Sequence, residues 1–217
     1  MTSLPDPLTI IVVLVSLSLA PFLAMMVTSF LKITIVLSLV RNALGIQSIP
    51  SNMVINGLAI ILSMYIMAPV AQQSYTIMEE NGVGESKDIR SVMAGISKAQ
   101  EPLRQFLLKH AHDRQRAFFL RSAQVLWTPE QAASLQPDSF MVLVPAFTVS
   151  ELTEAFQIGF LLYLPFVAID IIVSNILLAM GMMMVSPMTI SLPFKLLLFV
   201  LVDGWTRLIH GLVLQYK

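Results

Sequence analysis

Long stretches without a single charge constrain this chain more than any other feature. Pro7 to Leu31 gives 25 uncharged residues and Asn42 to Met78 gives 37. A helix that crosses a bilayer needs about 20 mainly apolar residues. The first stretch supplies a helix over 8–31, with room to continue to Val40, and the second supplies one over 53–72. Gly45 and Pro50 mark a loop between them. In the last third Asp170 divides Ala155–Ile169 from Ile171–Phe194. Helices are expected there near 140–162, 165–185 and 193–215, separated by Pro165 and Ser186-Pro187.

The remaining charge is concentrated elsewhere. Residues 1–74 hold three charges, residues 75–140 hold sixteen and residues 141–217 hold seven. The pattern predicts an all-α membrane protein in which two apolar helical hairpins, four transmembrane segments in all, flank a polar helical insert. The boundaries are 1–72, 73–139 and 140–217. Charged residues make up 12% of the chain, against about 25% in soluble domains, too few to cover a water-facing surface. Thirteen basic residues cancel thirteen acidic ones, so nucleic acid is not an expected partner.

Within the insert, Gly82-Val83-Gly84 reads as a loop and Ala99–Trp127 as one amphipathic helix. Thr128-Pro129-Glu130 reads as a second helix start. Lys32 and Arg41 flank the first connection and Lys195 follows the last, so the basic-residue bias puts both turns in the cytoplasm. The insert and both termini then lie on the other side. The N-terminal apolar run lacks a basic leader, and we expect it to be retained rather than cleaved.

Five charges stand in apolar sequence: Glu151, Glu154, Asp170, Lys195 and Asp203. An unpaired charge in hydrocarbon is costly, so each should face protein or water. Pairing within the bundle or between chains is the favoured reading, and acids outnumber bases enough to invite partners from another copy. For Lys195 the expected partner is Glu151, Glu154 or Asp170, across a subunit boundary. The competing reading is a secondary transporter or proton channel with Glu151, Glu154 and Asp170 as its relay. The hairpins lack the internal repeat typical of transporters. His110 and His112 read as solvated and His210 as isolated. No zinc-protease, nucleophile-elbow, phosphate-loop or paired-carboxylate spacing is present, and cysteine is absent, so neither an enzyme nor a cofactor is expected.

Met180, Met182, Met183, Met184 and Met188 place five methionines in nine residues. Gly181 before and Ser186-Pro187 after them mark a helix break rather than mid-helix packing.

The sequence resembles the FliP/SctR family of type III secretion export-gate proteins. The likeness rests on Arg41-Asn42-Ala43-Leu44-Gly45-Ile46-Gln47, Pro145-Ala146-Phe147, Ser150-Glu151-Leu152, Tyr163-Leu164-Pro165-Phe166, Gly181 through Pro187, Leu192-Pro193-Phe194-Lys195 and Asp203-Gly204-Trp205. It covers most of 20–70 and 140–206 but not the insert. The resemblance implies a bacterial inner-membrane protein with a periplasmic insert, present in five copies. The implied partners are the small gate subunits SctS and SctT, the SctU switch protein, secreted substrates and inner rod or needle subunits. It also implies that Met182, Met183 and Met184 line the closed pore. In assembled gates of this family much of the helical mass is raised toward the periplasm, so the four-span count describes insertion. The retained N-terminus fits the virulence branch better than the flagellar one.

Overall fold

A computed structural model of the protein describes residues 7–46, 49–82 and 89–217; the expected loop at Val83-Gly84 lies outside them. The chain is all-α, with no strand among the described residues. Its centre is α2 (Phe30–Ala43), where Ile33, Val36, Leu37, Val40 and Ala43 recur at helical spacing and are all buried. That stripe packs on Ala155 and Phe166 of α8 (Phe140–Ala179) and on Ile55 and Ala59 of α3 (Asn52–Glu80).

The expected first helix is two helices. The helix α1 (Pro7–Met26) ends early, and the chain turns by 62° before α2 begins at Phe30. Polar groups at the corner find partners there. The Ser29 hydroxyl donates to Ser63 Oγ at 3.2 Å, and the Thr148 hydroxyl lies 3.3 Å from the Met26 carbonyl that the bend frees. A continuous apolar run therefore hides a corner that only tertiary partners fix.

Ser51 caps α3, accepting from the Val54 amide at 3.4 Å. This helix runs past residue 72 to Glu80 and ends at Asn81-Gly82, where Gly82 has φ +62. The extension carries α4 (Ile89–Ala99) and α5 (Glu101–His110) against its side. The predicted 99–127 helix is broken at Ala111-His112, where the backbone is extended and the His112 amide donates to Ser150 Oγ at 2.9 Å. Two helices follow, α6 (Asp113–Leu126) and α7 (Pro129–Ala133), the second starting at Thr128-Pro129 as the sequence predicts. The insert shares its core with α8: Leu107 and Ala111 pack on Leu143, Ala146 and Phe147.

The expected break at Pro165 is absent. The helix α8 is continuous for 40 residues through Pro145 and Pro165, about 60 Å at 1.5 Å per residue. Proline is tolerated inside apolar helices where neighbouring elements support the opened backbone. The expected 193–215 helix is instead α9 (Pro187–Leu201) and α10 (Gly204–Leu214), bent by 60° at Asp203, whose φ is +53. Both α3 and α8 are long and apolar enough to cross a membrane singly, and the bent pairs α1–α2 and α9–α10 bring the number to four if each counts as one span.

Gly159 of α8 lies directly against Leu39 of α2. A Cβ there would lie 2.2 Å from Leu39 Cδ1 and 3.1 Å from Leu39 Cβ. Overpacking of this kind costs about 1–3 kcal/mol. Gly159→Ala is expected to lower the melting temperature in detergent, and adding Leu39→Ala is expected to recover most of the loss. Equal melting of Gly159→Ala and wild type would show that the seam yields freely.

Candidate functional site: a buried ionic centre and a methionine loop

Lys32 stands in the first turn of α2 and is 1% exposed. A cation is unfavourable at a helix N-terminus and expensive to bury. Two carboxylates offset both costs. Lys32 Nζ donates to Glu154 Oε2 at 2.6 Å and sits 2.8 Å from Glu151 Oε1. The second contact is an ion pair without hydrogen-bond alignment. Glu151 and Glu154 are three residues apart on α8, so they share a face. This paired-carboxylate spacing escaped the sequence reading because the cation that gives it meaning lies more than a hundred residues away.

The outer oxygens of the acids are also used. His112 Nε2 lies 2.6 Å from Glu154 Oε1, and the Tyr216 hydroxyl donates to Glu151 Oε2. Burial, then the Glu151 charge, push the Tyr216 phenol far above its ordinary value, so it stays a donor. Lys32 Nζ also stands 4.6 Å from the centre of the Tyr216 ring. His110 packs between Phe106 and Tyr216, with ring centres 4.8 and 5.1 Å away. His110 is half-buried rather than solvated; His112 is exposed, as the sequence leads one to expect, and also reaches Glu154. Among the described residues no His, Cys, Asp and Glu group is arranged to hold a metal.

Lys32 is also not a turn residue. It lies at the insert end of α2, and its charge is internal to the fold. Arg41, in the last turn of α2, does hold the connection: Nη1 donates to Asn52 Oδ1 at 2.6 Å and to the Pro50 carbonyl at 3.2 Å.

A second ionic group closes the other end. Lys195 Nζ is 2.6 Å from Asp170 Oδ2 and donates to the Ala43 carbonyl at 3.2 Å. The Ser191 hydroxyl donates to Asp170 Oδ1 at 2.6 Å. Lys195 therefore reaches its acid inside one chain, with no second copy needed. Asp203 has no cation within ion-pair distance among the described residues; its Oδ1 accepts from Thr206 at 3.1 Å in the first turn of α10.

The methionines lie between α8 and α9. Gly181, at φ +76, ends α8: its amide donates to Leu178 O and the Met182 amide to Leu177 O, at 3.0 and 2.9 Å. These two bonds form a Schellman closure that a left-handed glycine permits. Pro187 then starts α9 in its first turn. Met182 is 41% exposed, Met183 82%, and Met184 fully.

The FliP family model matches residues 13–212. The chain belongs to the FliP family. It is 56% identical over 216 residues to the Yop proteins translocation protein R of Yersinia pestis, covering 100% of this chain and 99% of that one. It is 51% identical over 211 residues to the hypersensitivity response secretion protein HrcR of Ralstonia nicotianae, covering 96% and 97%. The virulence protein YscR of Salmonella typhimurium is 47% identical over 220 residues, covering 99% and 100%. Family membership and the apolar helices make the chain a multi-pass inner-membrane protein of type III secretion.

Two outcomes follow from this geometry. Lys195→Ala should lower stability by about 1–3 kcal/mol, because it takes the donor from the Ala43 carbonyl and the cation from the partly exposed Asp170. Exchanging Lys195 and Asp170 should restore only part of it, since the exchanged carboxylate faces the Ala43 carbonyl. Thermal unfolding of the three variants in detergent tests both statements, and full stability of Lys195→Ala would refute them. The second outcome concerns pH. Burial, then the Lys32 and Lys109 charges, lower His110 from 6.5 to about 4. The fold thus prefers the neutral ring, and the unfolded chain binds the extra proton. Stability is complete above about pH 6.5 and declines toward about pH 4. Melting curves over that range should flatten in His110→Gln; an unchanged slope would exclude His110 as the source.

Proposed function

We propose that the chain is a core pore-forming subunit of the type III export gate, conducting unfolded protein across the bacterial inner membrane. The methionine loop carries this reading. Three successive apolar side chains stand exposed on a loop stiffened at both ends, where a globular core would bury them. Brought together from several copies around an axis, Met182, Met183 and Met184 form a dewetted constriction that blocks ions. Their unbranched thioethers reshape around a passing chain of mixed side chains. Further support comes from relatives named for translocation and secretion, and from large apolar side chains exposed over α1, α3, α8 and α9.

On this reading five copies assemble with SctS and SctT, meet SctU, and pass secreted and needle subunits, with the insert toward the periplasm. Arg41 at the connection opposite the insert supports that orientation. The proton-relay alternative has less to rest on, because Glu151, Glu154 and Asp170 each meet a lysine of the same chain.

Replacing Met182, Met183 and Met184 together by Ala should preserve assembly and make the resting gate conduct small ions. Replacement by Leu should keep the seal and slow secretion, since branched side chains adapt less. Membrane conductance of the assembled variants decides: an alanine gate as tight as wild type returns these methionines to ordinary packing.

A further inference from the structure

The helix α10 is held firmly at its two ends and loosely between them. Leu212 is its only buried residue, and Leu208 packs partly on the same core. Three open grooves run along it. One of about 470 Å³ lies between Arg207 and Gly211 on one side and Leu162 and Phe166 of α8 on the other. A second, of about 360 Å³, separates Ile209 from Leu37 of α2 and Ile55 of α3. A third, of about 460 Å³, separates Val213 from Ile66 and Pro69 of α3. Among the described residues no side chain of α10 hydrogen-bonds to another helix; Thr206 bonds only to Asp203 in its own first turn. A helix with so little packing and no lateral polar tie belongs to the low-stability part of a fold.

Its near end is a corner. Asp203 sits at φ +53, the one non-glycine residue in the left-handed region among those described, and Gly204 follows it. A Cβ on Gly204 would come within 2.4 Å of the Phe199 ring, and Trp205 meets the same ring edge-on. The corner is thus seated tightly on α9.

The far end is tied to the ionic centre. Just past α10 the Tyr216 hydroxyl donates to Glu151, and the Tyr216 ring stacks on Phe106 with centres 6.0 Å apart. Lys109 Nζ donates to the Lys217 carbonyl at 3.0 Å, an exposed bond. A hydrogen bond to a buried carboxylate is the stronger kind. The 11 residues of α10 span about 16 Å. A small rotation at Asp203 therefore becomes a displacement of several ångströms at Tyr216.

We propose that α10 is a hinged strap, pivoting at Asp203-Gly204 and latched by the Tyr216 hydroxyl on Glu151. When the latch opens, the helix swings as a unit and uncovers Leu208, Leu212 and the core they pack on, while α2, α3 and α8 keep their packing. The strap and α9 together join the ionic centre to the methionine loop, where α9 begins. The proposal concerns packing within one subunit and is independent of the pore reading.

The sequence has no cysteine, so single cysteines report on the strap. Full-length Leu208→Cys, Leu212→Cys and Ala59→Cys proteins in detergent are labelled with a small methanethiosulfonate reagent, each with Tyr216 and with Tyr216→Phe. Phenylalanine keeps the ring and removes the donor. Ala59 is buried in the core where α3 meets α2, and it reports loosening of the whole fold. Tyr216→Phe should speed labelling at Leu212 about tenfold, as expected for one hydrogen bond to a charged group. Labelling at Leu208, nearer the pivot, should rise by a smaller factor, and Ala59 should not change. Unchanged rates at Leu208 and Leu212 overturn the proposal. So does a rise at Leu212 alone, which identifies fraying of the last turn, and so does an equal rise at Ala59, which identifies general unfolding.

Discussion

Burial of Lys32 is the constraint on which the rest of the molecule depends. A lysine in apolar surroundings holds its charge only where anions are fixed beside it, and Glu151 and Glu154 are fixed by α8. Each acid then needs its remaining oxygen satisfied, which draws in the insert through His112 and the chain end through Tyr216. Four separate parts of the sequence meet at one ammonium group. Such a cluster is weak evidence for net stability, because desolvation cancels much of the Coulomb attraction. Its effect is on register. Sliding α2 along α8 by one turn would leave an uncompensated charge in the interior, while the apolar stripe alone would tolerate the slip.

The Lys195 group performs the matching task at the far end of the same helix. The last carbonyls of a helix lack intrahelical donors and carry partial negative charge. Lys195 supplies a donor to the Ala43 carbonyl and an ion pair to Asp170 of α8. The 14-residue helix α2 is thus held to α8 by a lysine at each end, one its own and one from α9. Apolar contacts fill the length between. Gly159 belongs to this arrangement, since its missing Cβ sets how near the two axes come.

Charge-free runs made the two hairpins and the helical insert legible in the sequence, and the Gly181 and Pro187 boundaries of the methionine loop were legible too. The corners were not. Hydropathy is equally high for a residue facing lipid and for one facing another helix, and Thr28-Ser29, the one polar pair between Met25 and Leu31, is too short a signal to report the turn at Val27–Ser29 by itself. The Ser63 and Thr148 groups that stabilise this corner are distant in sequence. Pro165 misleads in the opposite direction, since packing carries α8 straight through it. The ionic centre was half legible: its acids stood out against apolar sequence, but Lys32 was read as a marker of topology. One residue type serves both purposes, and only the position of Glu151 on a neighbouring helix distinguishes them. Tyr216 gave no signal, because a tyrosine near a chain end has no pattern around it.

The spacing of the two ionic groups bears on how the chain sits in a bilayer. Glu151 and Asp170 are 19 residues apart on one unbroken helix, a rise of about 28 Å at 1.5 Å per residue. The hydrocarbon core of a bilayer is about 30 Å thick. Both groups can therefore occupy opposite interfaces at once, with Ala155–Ile169 between them in contact with lipid or neighbouring helices. The partial exposure of Glu154 and Asp170 suits that depth, where headgroups and water share in solvating a carboxylate. The helix nevertheless extends past each layer, to Phe140 on the insert side and to Ala179 on the methionine side. It is about twice as long as one crossing requires. Its surplus is covered by the insert at one end, through Leu143, Ala146 and Phe147. At the other end Ile172, Ile176 and Leu178 remain exposed. The uncovered end is the one that carries the methionine loop, and it is there that a second protein surface has apolar area to bury.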